Sequence, residues 1–199
     1  MSFPSGHIVP ALGLGTWKMA ESKRRRADEM AALRLGLDLG LTVIDTAEMY
    51  ANGAAESLVG EALDGRERQD VFLVSKGGAS VACNQVLYNL SRRGIEIDLL
   101  PWCRHHGVPV MAYSPIEQGN LLTHAAVERV AVRHDATPVQ ICLAWVLRQR
   151  GVIAIPKAGT PSHVREDAGA PHLVLTDDDL RELDEAFPPP RESRPLEMI

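Results

Sequence analysis

The 199-residue sequence contains no apolar run long enough to span a membrane, and Met1 to Pro10 lack the apolar core of a signal peptide. A cytoplasmic protein with no membrane partner is the expectation. Cysteine is scarce: Cys83, Cys103 and Cys142 show no C-x-x-C spacing, and an odd count without a framework points to reduced thiols. His105 and His106 are adjacent and have no partner one helical turn away, so they read as surface or packing residues and no metal is expected. A basic excess is also missing. The net charge of -5 and a pI near 5.8 argue against nucleic acid as a partner. The local exception, Lys23 to Arg26, reads as the solvated start of a helix. Short repeats, low-complexity segments and domain linkers are absent too, which leaves a single domain over 1–199.

What is present is a regular alternation. Hydrophobic residues make up 45% and charged residues 24%, an ordinary balance for a packed globular domain. Short apolar runs at 11–16, 42–46, 71–75, 82–86, 109–114 and 152–156 read as strands. Helical patterns fall between most of them. One runs over about 23–39, with Ala27, Met30, Leu33 and Leu37 on one face. Another carries Leu58, Val59, Ala62 and Leu63. Asp98 can cap a helix that ends at Gly107, and a further helix covers about 123–134. Thr137 with Pro138 starts the next, which carries Ile141, Trp145 and Arg148 on one side. A short helix is expected near 162–167. Thr176 with Asp179 forms a capping-box start for the last one, which three prolines end at 188–190. The pattern predicts an α/β protein with a parallel sheet.

Six strands are too few for a closed eight-stranded barrel, which typically takes about 250 residues. The shortfall can be located. Only Gly77 to Val81 separate the strand ending near Lys76 from the one starting near Ala82. Parallel neighbours need a crossover of about a dozen residues, because the chain must return to the starting end of the sheet. Either these two strands pair antiparallel, or an insertion that the ordinary fold requires is missing. We take the second reading.

A series of ordered motifs carries a specific resemblance. Gly13-Leu14-Gly15-Thr16-Trp17, Ile44-Asp45-Thr46-Ala47-Glu48-Met49-Tyr50 and Ser75-Lys76 resemble the first half of an aldo-keto reductase. Asn84 to Leu90 and Ala112-Tyr113-Ser114-Pro115-Ile116 resemble later strands of that family, and Ile155 to Thr160 with His163 and Glu166 its C-terminal cofactor motif. The resemblance covers nearly the whole chain and implies a (β/α)8 TIM-barrel-derived fold, here incomplete. It also implies a monomer and NADPH-dependent reduction of an aldehyde or ketone, as in bacterial members acting on small carbonyl compounds.

The residues suit that chemistry. A free tyrosine releases its proton near pH 10, so a tyrosine acting as general acid needs a nearby cation. Tyr50 would be that acid, with Lys76 lowering its pKa and Asp45 pairing to Lys76 and orienting it. Each sits at or just past a strand C-terminus, where barrel active sites are built. By resemblance, Gly15, Thr16 and Trp17 border the cofactor, Gln85 holds the nicotinamide carboxamide and Tyr113 stacks on its ring. Ser114 and Ile116 lie near the pyrophosphate. Lys157 and Thr160 meet the 2′-phosphate, which favours NADP(H), while His163, Glu166 and Asp167 contact the adenine end. Asp167 stands where the family usually has asparagine. Two family features are missing: the histidine that polarises the carbonyl, and a Ser-Asn pair on the carboxamide. Both would fall in a block of two βα units absent after Lys76. Two other outcomes follow from that gap: an inactive remnant that binds nucleotide weakly or serves only as an interaction partner, or a chain whose open sheet edges favour swapped dimers.

Overall fold

The computed structural model describes residues 6–66, 68–75, 83–193 and 195–197, so Lys76 and Ala82 lie outside the described residues. Six strands occur where the sequence places them, each shorter than its apolar run: β1 (Leu14–Gly15), β2 (Val43–Asp45), β3 (Phe72–Val74), β4 (Asn84–Leu87), β5 (Val110–Tyr113) and β6 (Val152–Ala154). Seven α-helices accompany them among the described residues: α1 (Arg26–Asp38), α2 (Ala54–Ala62), α3 (Leu99–His105), α4 (Ala125–Arg133), α5 (Pro138–Leu147), α6 (Pro161–Gly169) and α7 (Asp177–Ala186).

The strands form two parallel three-stranded sheets, β1-β2-β3 and β4-β5-β6. A parallel bridge between Leu12 and Ala154 joins them, and the amides of Gly13 and Gly15 donate to Ala154 O and Pro156 O, both at 2.9 Å. The spatial order is therefore β4-β5-β6-β1-β2-β3, with every strand pointing the same way. This is a TIM-barrel-derived α/β fold with six strands described. β3 and β4 do not pair with each other among the described residues, so the hairpin alternative is not the arrangement adopted. The glycines of β1 have a steric reason. A Cβ on Gly13 would come within 2.8 Å of Val43 O, and one on Gly15 within 2.8 Å of Ile155 O. The strand is squeezed between two backbones.

Side chains alternate across each strand, and the core divides accordingly. Ile44, Val86, Val110, Ala112, Val152 and Ala154 face outward into the large core shared with the helices, among Leu33, Leu58, Ile141 and Trp145. Val43, Met111, Ile153 and Ile155 face the other way and form a second, smaller cluster with Val9. That inner cluster fills the curved sheet. Continuing the alternation, Asp45, Gln85 and Tyr113 belong to the inner face, and Asp45 and Tyr113 are the C-terminal residues of β2 and β5.

Most caps act as the sequence predicts. The carboxylate of Asp98 accepts from Leu99 N at 2.5 Å. Thr137 and Gln140 form a reciprocal capping box on α5, as do Thr176 and Asp179 on α7. Two expectations need correction. The first helix starts at Arg26, so Lys23 to Arg25 precede it in a turn. Its buried face is Glu29, Ala32, Leu33, Gly36 and Leu37, whereas Ala27 is exposed. The reason is packing. The helix rests on α6 and α2, and a Cβ on Gly36 would meet Leu14 Cδ1 at 2.7 Å.

Candidate active site

At the C-terminal ends of the strands lies a cavity of about 700 Å3. It is lined by Gly15 of β1 with Trp17 and Lys18 after it, Arg25 before α1, Asp45 of β2 and Tyr50 beyond it, and Gln85 of β4. Tyr113 to Ile116 with Gln118 and Gly119 line it after β5, and Ile155 to Lys157 after β6. Residues separated by more than a hundred positions thus share one space, because parallel strands bring all their C-terminal ends to one side.

Asp45 is almost fully buried at the end of β2, and its backbone is pinned. Its carbonyl accepts from the Thr16 amide and from the Thr16 hydroxyl, both at 3.0 Å. Thr16 is fully buried and does not border the cavity, so its role is to clamp β1 to β2 beneath Asp45. Tyr50 opens a tight turn, Tyr50–Gly53, in which Ala51 and Asn52 take left-handed φ values of 50° and 53°. That turn caps the strand end before α2 and leaves Tyr50 half-buried on the cavity wall. Lys76 lies outside the described residues.

The β5 wall is a strained loop held from below. Ser114, Glu117 and Gln118 all have positive φ, at 47°, 48° and 54°. The buried Asn89 amide donates to Ser114 O at 2.9 Å and to a Glu117 carboxylate oxygen at 2.6 Å, while Arg92 Nε donates to Glu117 at 2.9 Å. Asn89 Oδ1 in turn accepts from the Ser91 and Arg92 amides, each at 3.0 Å. Left-handed backbone in non-glycine residues persists only where surrounding bonds over-determine it. The sequence reading assigned no role to Asn89, Arg92 or Glu117. Their relation depends on contacts across 25 or more positions, which no local pattern signals.

The third wall is cationic. Lys18 Nζ stands 4.4 Å from the Trp17 ring centre, and Lys18, Arg25 and Lys157 border the same space. Partial burial holds the Lys157 ammonium below its ordinary pKa, and the like charges of Arg25 and Lys18 push the same way against the pull of Glu29 and Glu21. Lys18 was not singled out from sequence, and Arg25 was read there only as part of the solvated start of a helix. A lysine directly after the Gly13 to Trp17 motif was the available signal.

Beyond Lys157, Thr160 caps α6 by accepting from the His163 amide at 3.4 Å, with Pro161 at the first helical position. His163 is exposed, and the Glu166 carbonyl accepts from Gln140 Nε2 at 3.0 Å. Thr160, His163, Glu166 and Asp167 do not border the described cavity. Asp167 differs from an open ligand contact: it is only 5% exposed, and burial, with the charge of Glu166, raises its pKa to about 7.

Fold and site together define an α/β barrel-derived protein with a cavity at the strand C-termini that charged, polar and aromatic side chains line. The chain belongs to the aldo/keto reductase family, whose model matches residues 11–81 and 76–187. It is 37% identical to methylglyoxal reductase YeaE of Escherichia coli (strain K12), over 98% of this chain and 97% of that protein. That alignment runs over 277 positions against the 199 residues here, so the relative carries many positions for which this chain has no residue. An aldo-keto reductase of Mycobacterium sp. (strain MCS) is 24% identical over 92% of this chain and 89% of its own. Among solved structures, an aldo-keto reductase from Klebsiella pneumoniae in complex with NADPH superposes with a TM-score of 0.93. It is 36% identical and covers 99% of this chain and 98% of its own. A Klebsiella pneumoniae aldo/keto reductase with NADP and acetate gives a TM-score of 0.92 at 37% identity, over the same shares of the two chains.

Proposed function

We propose that this chain binds NADP(H) in the cavity at the strand C-termini and reduces a small aldehyde or ketone to the alcohol. The observation that carries the reading is that one cavity gathers Asp45, Tyr50, Gln85, Tyr113 and Lys157 from four strands and the loops that follow them. The donor set fits a phosphorylated dinucleotide. Gln85 offers an amide for a carboxamide, Tyr113 a ring face for a planar heterocycle, and the cationic wall suits phosphates. When bound, the dinucleotide supplies the hydride.

The protein's part is the proton. Tyr50 donates it to the carbonyl oxygen as the carbon is reduced, and Lys76 with Asp45 lowers the cost of the resulting phenolate. Thr16 keeps Asp45 fixed while this happens. Related proteins bear the name methylglyoxal reductase, which supports a small, reactive carbonyl compound as the substrate class. The histidine and the Ser-Asn pair expected of the family are assigned to a block of two βα units missing after Lys76. Two features support this placement: the family match breaks into segments that meet at 76–81, and β3 and β4 are left as the unpaired ends of the described strand order.

NADPH fluorescence titration, followed by NADPH oxidation with methylglyoxal or a nitrobenzaldehyde, tests the reading. Turnover that Tyr50→Phe reduces by about a hundredfold or more is expected for loss of a general acid. Tight binding without any turnover would refute the reductase, and absence of binding would refute the cofactor assignment as well.

A further inference from the structure

The cationic wall of the cavity holds one more residue whose placement calls for an anion. Lys18, Arg25 and Lys157 border one space, and Asp45 is the one carboxylate among the described residues lining it. Three like charges facing a shared cavity repel one another unless a negative group sits between them. Arg25 is no incidental neighbour. Its Nε lies 3.9 Å from Glu29 Oε1, and its side chain is 54% exposed.

Glu29 explains how Arg25 is held. Its side chain is fully buried on α1, where a carboxylate is costly without a compensating charge or hydrogen bonds. One oxygen accepts from the Ala20 amide at 2.9 Å, fixing a residue with φ 62° in the loop that carries Lys18. The other oxygen has no hydrogen-bond partner among the described residues and faces Arg25. A single buried acid therefore anchors the loop backbone and draws in the side chain of Arg25, the N-cap residue of the same helix. The long contact at Nε leaves the outer guanidinium nitrogens available for a planar, two-pronged contact with an oxyanion. Lys157 senses the charges of both Glu29 and Arg25.

We propose that Arg25, steered by the buried Glu29, binds a phosphate group in the cavity and acts with Lys18 and Lys157 to set affinity for the dinucleotide. The inference rests on the NADP(H) reading above and adds a phosphate-binding residue and its positioning residue to it. The phosphate is either the 2′-phosphate of the adenosine or the pyrophosphate, which share the same recognition chemistry.

Arg25→Ala and Arg25→Lys are titrated beside the wild type with NADPH, NADH and adenosine 2′,5′-bisphosphate, and thermal melts confirm that each variant is folded. Arg25→Ala is expected to weaken NADPH binding by about tenfold or more, the usual effect of a lost charge-assisted hydrogen bond, and Arg25→Lys to restore part of it. Loss confined to NADPH and the bisphosphate assigns the 2′-phosphate; equal loss for NADPH and NADH assigns the pyrophosphate. Glu29→Gln is expected to weaken NADPH binding in the wild type and to add little in the Arg25→Ala background, because the two act through one contact. Unchanged affinities in a folded Arg25→Ala protein overturn the inference while leaving the cofactor reading intact. Arg25-dependent binding of the bisphosphate with no binding of NADPH has the opposite effect. A wild type that binds none of the three ligands overturns both.

Discussion

Replacing Asp167 with asparagine should stabilise the protein at neutral and alkaline pH and do almost nothing in acid. The side chain sits on α6 and is 5% exposed; burial and the neighbouring Glu166 charge raise its pKa from 3.8 to about 7. Below pH 4 the acid is protonated whether the chain is folded or not, so it contributes no pH dependence. Between pH 4 and 7 the unfolded chain ionises while the folded protein keeps the proton, and stability falls by about 1.4 kcal/mol per pH unit. Above pH 7 both states are ionised and the loss is constant, near 4 kcal/mol as an order of magnitude. A protonated carboxyl and an amide have nearly the same shape, and each offers both a donor and an acceptor, so Asp167→Asn removes the ionisation without leaving a void. A domain of this size moves roughly 2–4 °C in Tm per kcal/mol. The variant should therefore melt on the order of 10 °C above the wild type at pH 8, with the difference shrinking to near zero at pH 4. Thermal melts by circular dichroism across pH 4 to 8 measure it. A difference that does not change with pH would refute the argument, since only a shifted ionisation produces the slope.

Two further outcomes follow from the packing around the cavity. Gly15→Ala would place a methyl group 2.8 Å from the Ile155 carbonyl oxygen, so the seam between β1 and β6 must open. The melt should drop by about 1–3 kcal/mol, the range for overpacking, and a variant as stable as the wild type would show that the seam yields freely. Asn89→Ala removes the buried amide that holds both Ser114 O and Glu117. Loss of a donor to a charged partner costs about 1.5–3 kcal/mol, and KM for the dinucleotide should rise more than kcat falls, because the substituted residue supports a cavity wall and not the proton donor.

The sequence by itself determined the elements and their order. Short apolar runs placed the strands, and Thr137 with Pro138 and Thr176 with Asp179 placed two helix starts, because these signals act between residues a few positions apart. The ordered motifs from Gly13 to Thr160 pointed to the family and to Asp45, Tyr50, Gln85, Tyr113 and Lys157, which now border one cavity. What the tertiary structure alone decided lies in contacts between distant segments. Thr16 is buried with its hydroxyl on the Asp45 carbonyl, and the Asp167 carboxyl is buried as well. Glu29, a charged residue in a helical pattern, reads locally as a solvent-facing position, yet in the fold it is buried on α1, 3.9 Å from the Arg25 that borders the cavity. Alternation along a strand tells which residues share a face. Which face becomes the inside of the sheet is settled only when six parallel strands curve together and one end of them closes around a common space.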